Sequence, residues 1–250
     1  MDNDEIYTKL VHDGVCIVDN IFSSEVLDKL QQMFVETEKS LNIILESKNI
    51  KYYNYEYVSH FDKEYITYKK YFDTELVNII ELEKGKYDVS SNQTNFKINK
   101  KLENIINKFM KKYKQTFGFL TSNLKSDKGI WHRDTINLDG DADEEGNYDD
   151  SNMVHNMNPF YFTILMPLVP LTKDNGATEF ILGSHKLTYQ ESINKERVQF
   201  ETKLGDAIIF DGRIFHRSRE NNSDHNRPVL YIVVHRDWYT EPENIIISND

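Results

Sequence analysis

Trp131-His132-Arg133-Asp134 is the stretch on which the reading of this chain turns. Side chains on a β-strand alternate between its two faces. If the stretch is extended, His132 and Asp134 point the same way and Arg133 points the other way. An imidazole and a carboxylate side by side supply two legs of a metal site. A third leg stands far downstream in Ile214-Phe215-His216-Arg217-Ser218, where His216 and Ser218 share a face of a second predicted strand after the turn Asp211-Gly212. A His-x-Asp triplet alone arises by chance; the weight here comes from several features that agree.

Arg227 is the next of these. It opens a strongly apolar strand after the loop 221–226, which is expected to return the chain as a hairpin and bring Arg227 near Ser218. Arg227, Val229, Tyr231 and Val233 then line one face. An unpaired buried charge is very costly, so a buried arginine requires an anion. Ser218 and Arg227 form a forked donor set suited to a carboxylate, with a structural carboxylate such as Asp206 as the other candidate partner. Two histidines and a carboxylate with open positions beside them are the ligand set of the facial triad in non-haem iron(II) oxygenases.

Short apolar runs alternate with turn signals through the second half of the chain: Tyr161 to Leu168, Ala177 to Ile181, Val198 to Thr202, Ala207 to Phe210 and Pro228 to His235. Many short strands at this spacing point to an all-β sandwich or barrel. Helices precede them. Asp4 to His12 reads as a short helix ended by Asp13-Gly14, and Val15 to Val18 as a buried strand. Ser23 or Ser24 caps a long amphipathic helix carrying Val26, Leu27, Leu30, Met33, Phe34, Leu41 and Ile44. A further helix is outlined by Leu102, Ile105, Ile106, Phe109, Met110 and Tyr113, and Phe117 to Leu120 reads as a strand. Between these, Tyr52 to Tyr57 reads as a strand, Thr74 to Leu82 as a strand or short helix, and Ser90-Ser91-Asn92 as a loop. One domain is expected over 1–250: a mixed, largely helical part over 1–115 and a β core over 116–238. An acidic, turn-rich insertion over 137–158 interrupts the core and reads as a lid. Asp139, Asp141 and Asp143 imitate a calcium loop, but its sixth position is Glu144 rather than glycine and its twelfth is Asp150 rather than glutamate.

Composition narrows the function classes. With 250 residues, 39% hydrophobic content and a net charge of −11, the chain reads as a globular protein whose charge disfavours nucleic acid and anionic lipid as partners. The single cysteine, Cys16, excludes an intramolecular disulfide and a thiolate cluster. No apolar run approaches the length of a membrane span, and the acidic start Met1-Asp2-Asn3-Asp4-Glu5 lacks the features of a signal peptide. A cytoplasmic protein acting on a small molecule, as a monomer or homodimer and without nucleic acid or membrane, is the expectation.

The motifs together resemble the phytanoyl-CoA dioxygenase family of iron(II)- and 2-oxoglutarate-dependent oxygenases. The resemblance runs from about residue 5 to 238. It rests on Trp131-His132-Arg133-Asp134, Asn175-Gly176-Ala177, Gly183-Ser184-His185-Lys186, Gly205 to Gly212, His216, Ser218 and Arg227-Pro228, with eleven residues from His216 to Arg227. It implies a double-stranded β-helix of jelly-roll, cupin-like type packed by N-terminal helices. It implies His132, Asp134 and His216 as iron ligands, and Ser218 and Arg227 as the grip on the distal carboxylate of 2-oxoglutarate. O2 is the other co-substrate, and succinate and CO2 accompany hydroxylation of an unactivated C–H bond. Relatives that halogenate lack the carboxylate ligand, whereas Asp134 is present here. Two departures stand out: Leu182 where the family often has proline, and Arg133 where glutamine is common.

Other readings accompany this one. A jelly-roll sensor would bind metal and 2-oxoglutarate without turnover. A zinc hydrolase with a His2Asp site would activate water, with no duty for Ser218 and Arg227. His185 reads as structural and Arg217 and Arg219 as solvated. Trp131, Phe210 and Tyr231 read as packing, and His12, His60, His155 and His225 as surface or loop residues. His235 lies on the face of Arg227 at the far strand end and is left out of the iron site. Thr163, Asn123 and Lys125 are the candidates for the second carboxylate of 2-oxoglutarate.

Overall fold

The computed structural model describes residues 1–46, 53–55, 65–72, 75–83, 86–91, 98–122, 125–129, 131–135 and 157–239. In chain order these form α1 (Asn3–His12), β1 (Val15–Val18), α2 (Ser24–Glu46), β2 (Tyr53–Tyr55), β3 (Tyr65–Phe72), β4 (Glu75–Glu83), β5 (Lys86–Ser91) and α3 (Lys100–Ile106). There follow β6 (Lys114–Ser122), β7 (Tyr161–Pro167), β8 (Glu179–Ile181), α4 (Tyr189–Ser192), β9 (Arg197–Gln199), β10 (Ala207–Asp211), β11 (His216–Arg217) and β12 (Arg227–His235). Among the described residues, no helix is long and apolar enough to cross a membrane.

Two antiparallel sheets face each other as a jelly roll. The larger has the order β1-β10-β7-β12-β6-β5-β4-β3-β2, the smaller β11-β8-β9. Val15, Leu165, Ile208, Phe210 and Val229 from the large sheet meet Leu171, Ala177, Phe180 and Ile214 in the space between them. On the other face of the large sheet, Phe162, Ile164, Met166, Ile209, Leu230, Ile232 and Val234 pack against Ile6, Leu10, Leu27, Leu30, Leu102, Ile105 and Ile106 of the helices. β7 and the centre of β12 are thus covered on both faces, which explains their unbroken apolar runs. Opposite Tyr231, β6 carries Gly118, where a Cβ would lie 2.5 Å from the Tyr231 hydroxyl oxygen. Glycine lets that ring lie across the strand.

Four local expectations are corrected. The strand opened by Arg227 does not form a hairpin with β11: β11 pairs with β8, and β12 pairs with β6 and β7. The chain crosses from one sheet to the other between them. The third helix stops at Ile106, because Met110 turns into the core and Phe109 packs on Phe162 at 4.9 Å. Ser90 and Ser91 close β5 rather than a loop, while β4, over Glu75–Glu83, meets the strand reading of that stretch. Arg217 and Arg219 both pair with Glu179, at 2.8 and 3.1 Å. The acidic stretch 137–156, with its calcium-loop pattern and His155, and also His60, lie outside the described residues.

The turn Gly183-Ser184-His185-Lys186 fastens α1 to the core. Ser184 Oγ accepts from Phe215 N at 2.9 Å, His185 Nε2 lies 3.3 Å from Val11 O, and Lys186 Nζ donates to the same carbonyl. A carbonyl only accepts, so His185 carries its proton on Nε2. Its ring lies against Gly14, which sits at φ +77° and where a Cβ would meet His185 Nδ1 at 2.5 Å. Burial, ahead of the neighbouring charges, pushes the His185 pKa down from 6.5 to about 4. The unfolded chain takes up this proton near pH 6.5 and the folded chain only near pH 4, so stability falls as pH drops through that window. The stake is about 3 kcal/mol. Urea unfolding of His185→Gln should lose this much less stability than the wild type between pH 7 and pH 4. Equal losses would refute a buried neutral imidazole.

Candidate metal and carboxylate site

The residues 131–133 run beside β11. His132 and His216 form one bridged pair, with His132 N donating to His216 O at 3.1 Å and His216 N to His132 O at 3.0 Å. The alternation expected from the sequence holds. Both imidazoles meet at ring centroids 4.3 Å apart, and Asp134 joins them, its own amide bonded to Gly212 O at 2.8 Å.

Asp134 Oδ1 lies 3.4 Å from His216 Nε2 and 3.9 Å from His132 Nε2. One donor atom from each of the three residues lies within 4.8 Å of the others. An ion bound at about 2.1 Å to each donor needs them roughly 3 Å apart for bonds at right angles, so a small inward movement closes the site on a divalent cation. The supporting contacts prepare it. His216 Nδ1 lies 3.0 Å from Ile214 O, so it carries the proton and leaves the Nε2 lone pair for a metal. Thr163 Oγ1 donates to Asp134 Oδ2 at 2.5 Å, which turns Oδ1 toward the histidines. Burial alone would raise the Asp134 pKa, but His216, then His132 and the Thr163 bond outweigh it and hold the carboxyl below its usual range. His216 shows the converse: burial disfavours its cation, and Asp134 outweighs that. The pair stores the electrostatic attraction that a metal ion would take over.

Arg227 is 4% exposed, at the head of β12 opposite Ser122. Its Nη2 donates to Ser122 Oγ at 2.7 Å, while Nε is buried without a hydrogen-bond partner among the described residues. Burial pushes its pKa down to about 10. Asp206 is not its counter-ion; it accepts from Asn20 N and Lys203 N and holds a turn. A planar donor group left with an open Nε in a buried setting fits a carboxylate ligand. Ser218 follows β11 with its carbonyl bound to Gly129 N at 2.8 Å, and alternation puts its side chain on the face of His216.

The remaining candidates sort clearly. Thr163 is engaged by Asp134, and Lys125 is exposed and bound to Asn222 O and Asp224. Asn123 lies outside the described residues. His235 is buried among Tyr161 and Tyr239 with Nδ1 at 3.1 Å from Arg236 O, away from the cluster, while His12 and His225 are exposed. The sequence reading missed Ser122 as the partner of Arg227 and Thr163 as the partner of Asp134. For Thr163 there was a signal: a lone hydroxyl inside the apolar run Tyr161 to Leu168.

A family model described as phytanoyl-CoA dioxygenase (PhyH) matches residues 10–229. The chain belongs to this family. Dioxygenase af480 of Aspergillus fumigatus is 37% identical over 91 residues, 34% of this chain and 28% of that protein. The chain spans about a quarter of the length of the curated relatives it matches. Among solved structures, HygX from Streptomyces hygroscopicus, with nickel, 2-oxoglutarate and hygromycin B bound, superposes at a TM-score of 0.63. It shares 10% identity, over 95% of this chain and 88% of its own. SnoN, a non-haem α-ketoglutarate-dependent epimerase from nogalamycin biosynthesis, superposes at 0.57 with 14% identity, over 94% and 82%. These likenesses are likenesses of fold.

The Thr163–Asp134 bond gives a direct test of how the site is prepared. Thr163→Val keeps the shape and removes the donor. It should weaken iron(II) binding by about tenfold to a hundredfold, read by anaerobic titration, with the unfolding midpoint near that of the wild type. Unchanged affinity would mean that Asp134 is oriented by something else.

Proposed function

We propose that this protein is an iron(II)- and 2-oxoglutarate-dependent dioxygenase that hydroxylates an unactivated C–H bond of a small-molecule substrate. The observation that carries this reading is the buried Arg227 with its open Nε, in a chain that also gathers two histidines and one aspartate for a metal. A zinc hydrolase needs the second feature and has no use for the first.

His132, Asp134 and His216 would hold iron(II) on one side and leave its other positions open. Bound iron and 2-oxoglutarate together supply the oxidising power, O2 being consumed and 2-oxoglutarate leaving as succinate and CO2 while one oxygen atom enters the substrate. The protein's own part is placement. Thr163 and Ile214 O fix the orientation of two ligands. Arg227, with Ser122 behind it and Ser218 on the face of His216, would grip the distal carboxylate of 2-oxoglutarate. Phe180 and Phe210 pack on the His216 ring, with centroids at 5.7 and 4.7 Å, and limit water on its inner side.

The test is an anaerobic titration of the apo-protein with iron(II) and then 2-oxoglutarate, followed by the visible charge-transfer absorption of the chelate. The wild type should develop the band. Arg227→Met should need at least tenfold more 2-oxoglutarate, the loss expected when a charge-assisted pair worth about 1.5–3 kcal/mol is removed, with iron affinity kept. A missing band in the wild type would overturn the proposal. Succinate release with a screened substrate separates an enzyme from a sensor. A product heavier by one oxygen atom separates hydroxylation from an isomerisation of the kind named for SnoN.

A further inference from the structure

The strand pair that carries His132 and His216 is unusually slight. β11 has two residues, and among the described residues regular antiparallel register with the 131–133 stretch holds at one rung. On either side the described bonds leave that register: Asp134 N reaches Gly212 O instead of residue 214, and Ser218 O accepts from Gly129 N, a pair one residue out of step with His132 and His216. A strand that slips by one residue turns every side chain to the opposite face. Here a slip would turn a metal-binding imidazole outward, and one rung is a weak guard against it.

The outward residues next to the rung supply the missing hold. In the register set by His132 and His216, Trp131 stands opposite Arg217 and Arg133 opposite Phe215. Both pairs are cations over aromatic faces. Arg217 Cζ lies 4.4 Å from the Trp131 ring centroid, and Arg133 Cζ lies 4.0 Å from that of Phe215. The two pairs run in opposite senses, with the aromatic on one strand in the first and on the other strand in the second. Each cation is also anchored beyond the pair. Arg217 Nη2 binds Glu179 of β8 at 2.8 Å, and Arg133, 5% exposed, donates to Ser184 O and Leu187 O. Contacts of this kind gain strength as they lose water, and these are buried or half-buried.

We infer that Trp131–Arg217 and Arg133–Phe215 are positioning pairs that clasp the back of the His132–His216 rung and set the separation of the two imidazoles. The inference rests on the metal-site reading above. It also gives a role to Arg133, the residue in the triplet that departs from the family's usual glutamine. The two pairs act on the metal through the histidines and touch neither metal nor substrate.

The experiment titrates cobalt(II) alone into the 250-residue apo-protein and follows its visible ligand-field bands, which report both affinity and geometry. Trp131→Leu and Arg217→Gln should each weaken cobalt binding by about tenfold, the lower end of losses for residues supporting metal ligands, and should shift the bands. The double variant Trp131→Leu/Arg217→Gln should lose clearly less than the product of the two single losses, because both remove the same contact while each also removes one of its own, to Arg197 and Glu179. Trp131→Phe, which restores an aromatic face, should recover most of the affinity. Leu102→Ala, in the helix-packed core, serves as a control that lowers the unfolding midpoint without moving the cobalt bands. Wild-type affinity in both single variants overturns the inference, as does a double variant whose losses multiply. If Trp131→Leu does not fold, Arg217→Gln alone must still shift the bands, and unshifted bands overturn the inference. A wild type that binds no cobalt overturns the metal site itself, and this inference with it.

Discussion

β12 has a paired neighbour along each edge, β6 on one side and β7 on the other. The helices cover its outward row of Leu230, Ile232 and Val234. Polar chemistry can therefore enter this strand only through its inward row, and a one-residue shift of register would bury that row in the helical core instead. The pairing of nine consecutive residues with β6 makes such a shift prohibitive. Arg227 is held in a site this dry because the strand beneath it has nowhere else to go, and it stays charged there because burial lowers its pKa only to about 10. The same alternation governs β7, where Thr163 faces inward to Asp134 while Phe162 and Ile164 face the helices.

Among the buried arginines of the described residues, Arg213 and Arg227 have surroundings that differ in a telling way. Arg213 is 2% exposed and satisfied by the protein. Its Nε and Nη2 grip both oxygens of Asp211 at 2.8 and 2.6 Å, and Nη1 binds Met157 O at 2.8 Å. Such a pair offsets most of its own desolvation and fixes local geometry, here the start of β7 and the turn into β11. Arg227 has a hydroxyl in place of a carboxylate and keeps Nε open. Leaving a charge buried without a counter-ion costs several kcal/mol, and among the described residues no aspartate stands against Arg227 as Asp211 does against Arg213. The contrast within one molecule is stronger support for a ligand carboxylate than burial of Arg227 alone.

Much of this was legible in the sequence, and the part that was not has a physical cause. Alternation within a strand is local, so the shared face of His132 and Asp134, the inward row from Arg227 and the strands β7, β10 and β12 followed from the residues themselves. Partnership between strands is not local. The loop 221–226 reads like a hairpin turn, yet it carries the chain across the sandwich, because β12 has more apolar surface to bury between β6 and β7 than beside the two-residue β11. Arg217 and Arg219 look solvated for the same reason. Glu179, their shared partner, is some forty residues away in sequence and arrives only with the pairing of β8 to β11. The strands β3 and β5 went unseen because their sequences, such as Tyr-Ile-Thr-Tyr-Lys-Lys-Tyr-Phe, mix charge and aromatics without a clean period.

The turn Gly183-Ser184-His185-Lys186 shows why a motif outside the chemistry can still bear on it. Its Ser184 carbonyl accepts from Arg133, its serine hydroxyl accepts from Phe215 N, and its histidine and lysine reach the last turn of α1. Arg133 and Phe215 are the immediate neighbours of His132 and His216. The turn therefore joins the helical layer to both histidine-bearing strands through single contacts, with no side chain of its own in the metal cluster. Packing of α1 depends in turn on His185 staying neutral beside Gly14. Charging that imidazole would loosen the contact from the helix inward, toward Ser184 and Phe215, before it reached the ligands themselves.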